Sequence, residues 1–166
     1  MKYLITSMML TAFAVSIAAS APAAATDGKT HASGVCQGTF ASDRADAEYL
    51  VTELRASGSE VQMNCALVRD SMGYKMEWVD ARVDKASNDD VPIYARVYSC
   101  NTAYHECSWK STTNGGIVNA DPGQHSFFVD TKSLPYSDTN GRYFSVWMRL
   151  PDGDSLMSIE TLEQTD

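Results

Sequence analysis

Short runs of alternating apolar and polar residues, separated by turn sequences, constrain the fold of this chain more than any other feature. Residues 61–67, 76–83 and 143–150 all alternate in this way. Successive side chains of a strand point to opposite faces, so each run predicts a strand with one buried face. Turn residues divide the runs at 70–73, 88–92, 114–116, 121–123, 137–141 and 151–154. Many short strands of this kind predict a mainly β chain folded as an antiparallel β-sandwich.

Residues 43–56 depart from the alternation and predict one short helix. Their apolar positions recur at helical spacing, at Ala47, Leu50, Val51 and Leu54. Ser42 or Asp43 is a suitable capping residue at the start, and Gly58 is suited to the end. A strand over residues 49–54 is the alternative.

The first 25 residues are typical of an export signal. Lys2 is followed by an apolar run from Tyr3 to Ala18 and then by small residues up to Ala25. These are the three parts of a secretory signal peptide. We expect cleavage after Ala25, with cleavage after Ala23 as the alternative. The apolar run is shorter than the roughly 20 residues of a membrane-spanning helix, so we expect no membrane span after cleavage.

Cleavage after Ala25 would leave 141 residues and change the net charge from −8 to −9, because Lys2 is the only charged residue removed. Residues 26–35 are small and polar and are predicted to be a flexible start. Residues 36–166 are predicted to form a single domain. An acidic chain does not favour nucleic-acid binding, which needs a basic face for the phosphates. We therefore expect a secreted or periplasmic protein whose partner is not a nucleic acid.

All four cysteines lie beyond the signal peptide, and an even number in an exported chain predicts disulfides. A zinc site would need closely spaced pairs such as Cys-x-x-Cys, which the sequence lacks. Four cysteines allow three pairings. We favour Cys36 with Cys65 and Cys100 with Cys107.

The second pair is favoured because two extended runs on either side of residues 101–106 predict a hairpin. If Cys100 faces Cys107, the pairs that share its face are Tyr98 with Trp109, Arg96 with Ser111, and Tyr94 with Thr113. The other face carries Ile93, Ala95 and Val97, which are suited to a core. Lys110 would lie opposite Val97 and fits a core poorly. The residues thus leave open which face of the hairpin is buried.

The segment Asn64-Cys-Ala-Leu-Val-Arg-Asp70 resembles a group of exported bacterial proteins of unknown function, which share a strand reading Cys-Pro/Ala-Leu-x-Arg-Asp. The group also has an early cysteine, a strand of alternating valines, and a further cysteine pair. The matching stretches here are Cys36, residues 79–84, residues 91–93 and residues 148–151. The resemblance implies a β-sandwich and no known activity. At the positions of that cysteine pair this chain has Ile93 and Met148, so we expect these side chains to meet in the core.

The aromatic side of the hairpin is the first candidate site. Tyr94, Tyr98 and Trp109, with Arg96 between them, form a candidate ligand platform. Exposed aromatic rings on a sheet can stack on sugar rings, while hydroxyl groups and arginine make hydrogen bonds. The competing interpretation is that these residues belong to the core or form an ordinary aromatic ladder.

Three further groups are weaker candidates. Trp78, Asp80 and Arg82 share one strand face, where an Asp80–Arg82 ion pair would contribute little. The acidic turn residues are of the type that binds calcium, but none has EF-hand spacing; they lie at 88–90, 121, 138 and 152–154. The copper-ligand types are scattered, at Met72, Met76 and His105. We predict no metal and no cofactor.

His125 is the one candidate for catalysis, because it precedes Ser126 and lies near Asp130. No Gly-x-Ser-x-Gly or His-Glu-x-x-His motif accompanies it. We therefore expect an exported, non-enzymatic β-sandwich that binds a protein or a glycan outside the cytoplasm. A small secreted hydrolase that uses His125 is the alternative.

Overall fold

The computed structural model describes residues 26–69, 74–86, 91–101, 106–111, 121–135 and 142–164. Within these ranges the chain forms two antiparallel sheets, one short α-helix and one 3-10 turn. The predicted mainly β, antiparallel sandwich is confirmed. None of the described helices is long and apolar enough to cross a membrane. The predicted signal peptide lies outside the described residues.

The first sheet contains the two longest strands of the described chain. With all strands numbered along the chain, its members are β1 (Thr26–Ala32), β3 (Ala47–Tyr49), β4 (Leu54–Ala56), β6 (Lys75–Lys85), β9 (Gly123–Asp130) and β11 (Ser155–Gln164). Their order is β3-β4-β11-β6-β9, and β1 pairs with β11. The sheet thus joins the first and last described strands.

The second sheet is built around the strand that the sequence marks most clearly. Its members are β2 (Cys36–Gly38), β5 (Val61–Leu67), β7 (Tyr94–Asn101), β8 (Cys107–Ser111) and β10 (Arg142–Leu150). Their order is β2-β5-β10-β7-β8, so β10 lies between β5 and β7. This arrangement places the outward side chains of three aromatic-bearing strands next to one another.

The core lies between the sheets and is filled by the inward residues of both. From the first sheet these include Leu54, Val79, Ala81, Val83, Phe127, Val129, Leu156 and Ile159; from the second, Val61, Met63, Leu67, Ala95, Val97, Phe144, Val146, Met148 and Leu150. Alternation along each strand gives the sandwich one dry face per sheet. On β5 and β6 the apolar residues of the alternating runs form the buried face, as their alternation predicts.

The two disulfides join the predicted pairs. The Cys36–Cys65 bridge ties β2 to β5, and both residues are fully buried. The Cys100–Cys107 bridge ties β7 to β8, with Cys107 exposed. Two disulfides are typical of an oxidising, extracytoplasmic compartment.

The predicted helix over residues 43–56 is wrong in its extent. The helix α1 covers only Ala41–Asp46, and β3 and β4 follow it as a small hairpin. The carboxylate of Asp43 accepts a hydrogen bond of 2.8 Å from the backbone N–H of Phe40 at the start of α1. A longer helix would need Leu50 and Val51 in the core, whereas they are 39% and 104% exposed. Pairing within the sheet therefore overrides the helical spacing.

The predicted flexible start over residues 26–35 is also wrong. Residues Thr26–Ala32 form β1, which pairs with β11 from Thr26 opposite Gln164 to Ala32 opposite Ser158. A polar composition suits this strand because it lies at an edge of its sheet. Its partners are contributed by the far end of the chain, which local sequence does not reveal.

Ile93 and Met148 both point into the core, as expected. Each is fully buried and belongs to the same apolar cluster. Met148 pairs with Ala95 on the neighbouring strand, two residues beyond Ile93. The two side chains thus lie on the same face of adjacent strands.

Candidate functional site

The hairpin that carries the predicted platform has the expected register. Tyr98 pairs with Trp109, and Arg96 pairs with Ser111, on the same face as the disulfide between β7 and β8. The residue expected opposite Tyr94, Thr113, lies outside the described residues. The predicted platform residues therefore do share one face of the second sheet.

The structure decides that this face is the outer one. Ala95 and Val97 on the opposite side are at most 2% exposed, whereas Trp109 is 51% exposed. Lys110 pairs with Val97 and yet is exposed. It reaches solvent because β8 is the last strand of its sheet. The position of Lys110 opposite a core residue is thus explained by its place on the edge strand.

Two aromatic residues of β10 extend the platform, and sequence reasoning missed them. Trp147 pairs with Arg96, and Tyr143 pairs with Cys100. Tyr143 is 47% exposed and Trp147 is half-buried. Alternation along β10 predicts that both point outward, but only the strand order places them beside β7. We call the outward residues Tyr94, Arg96, Tyr98, Trp109, Tyr143 and Trp147 the aromatic face.

Two arginines are held against the rings of this face. The guanidinium carbon of Arg96 lies 4.6 Å from the ring centroid of Trp109 and 5.8 Å from that of Trp147. The guanidinium carbon of Arg149 lies 4.3 Å from the ring centroid of Tyr94. Cation–π contacts of this kind attract the cation to the ring and limit the positions it takes. The aromatic face is therefore a structured surface rather than a set of independent side chains.

A depression of about 250 Å³ opens in the aromatic face above Ser145. Tyr98, Tyr143 and Trp147 form its aromatic walls, and Asn64 and the Cys100–Cys107 bridge line the rest. The small side chain of Ser145 creates the space, because it lies between larger neighbours on the same strand. Concave, mainly apolar surfaces with a few polar groups are the usual form of a ligand site.

A second groove of about 540 Å³ continues from this depression towards α1. The two cavities share Asn64, Tyr143 and Ser145 as lining residues. Gly38 on β2 allows α1 to approach, since a Cβ atom there would lie 2.6 Å from the backbone nitrogen of Arg44. The outer face of the second sheet thus carries two adjoining hollows.

The outer face of the first sheet is a different surface. Trp78 contacts Phe128, with ring centroids 5.9 Å apart. The expected Asp80–Arg82 pair does not form: Arg82 contacts Glu160 at 3.1 Å, and Asp80 accepts a hydrogen bond from the Ser126 hydroxyl. Arg82 reaches across to β11 because neighbouring strands are about 4.8 Å apart. The arrangement is that of an exposed charged surface.

The described residues do not assemble a catalytic group at His125. Its Nε2 atom lies 2.7 Å from the carbonyl oxygen of Asp121. Ser126 points to the other side of β9, where its hydroxyl donates to Asp80. Asp130 is an odd number of residues away and also lies on the other side, where it accepts from the backbone N–H of Lys132. Alternation along the strand therefore separates His125 from both groups.

The acidic turn at residues 152–154 is used within the chain. Asp152 accepts a hydrogen bond of 2.7 Å from the N–H of Gly58, and Asp154 accepts one of 2.9 Å from the N–H of Ala86. The described part of the chain contains no group of three His, Cys, Asp or Glu residues suited to hold a metal ion. Met76 is buried in the core. Residues 88–90, Met72, His105 and Asp138 lie outside the described residues.

Comparisons with known proteins add a distant likeness in shape. No protein-family model matches the chain, and no curated protein matches its sequence. A solved structure, the cyanophage Pam1 capsid asymmetric unit, is similar over 92% of this chain and 94% of that chain, with 10% sequence identity and a TM-score of 0.42.

Proposed function

We propose that this protein is a secreted or periplasmic, non-enzymatic β-sandwich that binds a carbohydrate through its aromatic face. One observation carries the proposal: the depression above Ser145, which three aromatic rings surround on an outer sheet face. The disulfides support a site of action outside the cytoplasm.

The chemistry of the depression suits a sugar ring. Sugars present apolar C–H faces, which stack on aromatic rings, and hydroxyl groups, which need hydrogen-bond partners. Asn64 and Ser145 supply both donors and acceptors beside the rings. The adjoining groove gives room for further sugar units along the same surface.

A protein partner is favoured less by this geometry. A stable protein–protein interface buries about 800 Å² on each partner, usually over a continuous packed patch. The aromatic face is instead interrupted by two hollows, which a flat protein surface would leave unfilled. Ring-sized groups fill such hollows better.

Glycan-array binding tests the proposal. We expect the wild-type protein to bind a defined set of glycans, and Trp109→Ala and Tyr143→Ala to weaken that binding about threefold to tenfold each, as loss of one stacking partner implies. Phe128→Ala is the matched control, because Phe128 is an equally exposed ring, at 56%, on the other sheet. Absence of glycan binding, or equal signals for all four proteins, would contradict the proposal.

A further inference from the structure

The second sheet differs from the rest of the chain in its charge. The protein has 21 acidic residues, yet the five strands of the second sheet contain no aspartate or glutamate. The basic residues of these strands are Arg96, Lys110, Arg142 and Arg149. Acidic side chains are therefore excluded from the sheet that carries the aromatic face.

Among the described strands, acidic residues lie on those of the first sheet instead. On strands β6, β9 and β11 the acidic residues are Glu77, Asp80, Asp84, Asp130, Glu160 and Glu163. The outward ones lie on the far side of the sandwich from the aromatic face. Two packed sheets are about 10 Å apart, and the outward side chains of the two sheets are farther apart than that. The first-sheet carboxylates therefore repel an anion at the aromatic face less than a carboxylate on the same face would.

Arg96 is the cation at the centre of the aromatic face. It is half-buried, with its guanidinium between Trp109 and Trp147. Arg149, by contrast, has an acidic neighbour, since its Nε atom lies 3.2 Å from a carboxylate oxygen of Glu60. Among the residues that the structure describes, no carboxylate pairs with Arg96. Its charge is therefore positioned on the binding surface, and no carboxylate of the described residues neutralises it.

We infer that the carbohydrate held by the aromatic face is an acidic one, and that Arg96 binds its carboxylate or sulfate group. This inference rests on the proposed function and names the class of its ligand. The planar guanidinium presents two parallel N–H groups to one anionic group. Among the described residues the N–H groups of Arg96 have no carboxylate partner, so they are available for that contact.

The distinction between acidic and neutral sugars follows from this contact. An anionic group satisfies both the charge and the donors of Arg96, whereas a neutral hydroxyl satisfies only donors. Charge-assisted hydrogen bonds are about twice as strong as neutral ones. A sugar with a carboxylate or sulfate group is therefore bound more tightly than the same sugar without it.

The glycan array tests the inference with matched ligands. We expect the wild-type protein to bind glycans that carry uronic acid, sialic acid or sulfate ester groups. The methyl esters of the carboxylated glycans, and the desulfated forms of the sulfated ones, are expected to bind at least tenfold more weakly. These two comparisons also distinguish a carboxylate from a sulfate as the recognised group.

Variants of the arginine complete the test. Arg96→Gln is expected to lose at least tenfold in binding to acidic glycans, and Arg96→Lys to lose less, because it keeps the charge without the planar pair of donors. Arg82→Gln is the control, since Arg82 is an exposed arginine on the other sheet. Thermal unfolding of each variant verifies that it is folded. If Arg96→Gln does not fold, the wild-type and Arg96→Lys proteins provide the test of the inference.

The outcomes separate the two proposals. If the protein binds neutral glycans and the Tyr143→Ala variant weakens that binding, the inference is overturned and the proposed function stands. If the protein binds acidic glycans and the Arg96→Gln variant binds them equally well, the inference is overturned but the proposed function is not. Absence of binding to any glycan would overturn both.

Discussion

Lys85 and Asp154 show how single buried charges connect separate parts of the fold. Both side chains are at most 1% exposed, and the Lys85 Nζ atom lies 3.8 Å from Asp154 Oδ2. Lys85 also donates to the carbonyl oxygen of Val91, and the backbone of Asp154 accepts from the N–H of Ala56. The pair thus ties the end of β6 to β4 and to the turn before β11.

Replacing Lys85 with methionine is expected to lower the free energy of unfolding by about 3–5 kcal/mol, because it removes the ammonium group that lies beside the buried Asp154 carboxylate. Denaturant unfolding measures the change. The double variant Lys85→Met/Asp154→Asn is expected to recover part of the loss, since asparagine keeps an acceptor for the N–H of Ala86. A single variant as stable as the wild type would contradict this role.

His31 is a second residue whose buried position has a measurable consequence. Its Nε2 atom lies 3.3 Å from Thr161 Oγ1, and both residues are buried. Burial lowers the pKa of His31 below its usual 6.5, and the positive charge of Lys29 lowers it further, while Glu163 opposes the change. The folded protein therefore resists protonation of this ring.

Protonation of His31 is expected to destabilise the protein in acid. The unfolded chain binds the proton more readily, so the free energy of unfolding is highest above pH 6.5 and falls as the pH drops below that value. Unfolding measured between pH 7.5 and about 5 by denaturant titration shows the decline. In His31→Gln the decline is expected to be smaller; an identical decline would exclude His31 as its source.

At the scale of the strands, the two disulfides have unequal effects. The Cys36–Cys65 bridge joins residues 29 apart in sequence, and the Cys100–Cys107 bridge joins residues 7 apart. A longer loop loses more entropy on closure in the unfolded chain, which corresponds to about 3.6 and about 2.4 kcal/mol of stabilisation. The first bridge is also part of the core, whereas the second lies at the aromatic face.

We expect Cys36→Ala/Cys65→Ala to be less stable than Cys100→Ala/Cys107→Ala by about 1 kcal/mol or more, with a further loss from the cavity left in the core. Denaturant unfolding of the two variants under oxidising conditions provides the comparison. The second variant is expected to alter glycan binding as well, because Cys100 and Cys107 line the depression. Greater stability of the first variant would contradict the loop argument.

Residues 41–56 show why element boundaries are hard to predict from sequence. Their apolar spacing is helical, yet α1 ends at Asp46 and the following residues pair as strands. Leu54 and Ala56 are buried in the first sheet, and their burial stabilises the extended conformation. The spacing of apolar residues within this segment does not reveal that stabilisation, because the rest of the sheet is formed by residues distant in sequence.

At the scale of the whole molecule, the pairing of β1 with β11 joins the two ends of the described chain. Thr26 lies opposite Gln164, and apart from the β3–β4 and β7–β8 hairpins the other strand pairs also connect segments far apart in sequence. Such contacts require large loops to close before they stabilise the fold. Folding is therefore governed by topology rather than by local structure.

We expect the protein with intact disulfides to refold in milliseconds to seconds, as two-sheet β proteins do. Stopped-flow fluorescence can follow the reaction through Trp78, Trp109 and Trp147. These residues lie on the outer faces of the two sheets, so their signals report on both. Refolding within microseconds would contradict the dependence on long-range pairing.

The strand class, the faces of the long strands and the favoured cysteine pairs were predictable from the amino-acid sequence alone. These follow from alternation and from cysteine positions, which are local properties of the chain. The pairing within the 93–111 hairpin was predictable for the same reason.

The outward face of that hairpin and the position of β10 beside β7 emerge only in the folded protein. Strand order depends on the summed packing of all strands, and no short stretch of sequence records it. For that reason Tyr143, Trp147, Asn64 and Ser145 were not recognised as parts of one site. The cavity above Ser145 and the position of Arg96 between two indoles exist only in the folded sheet.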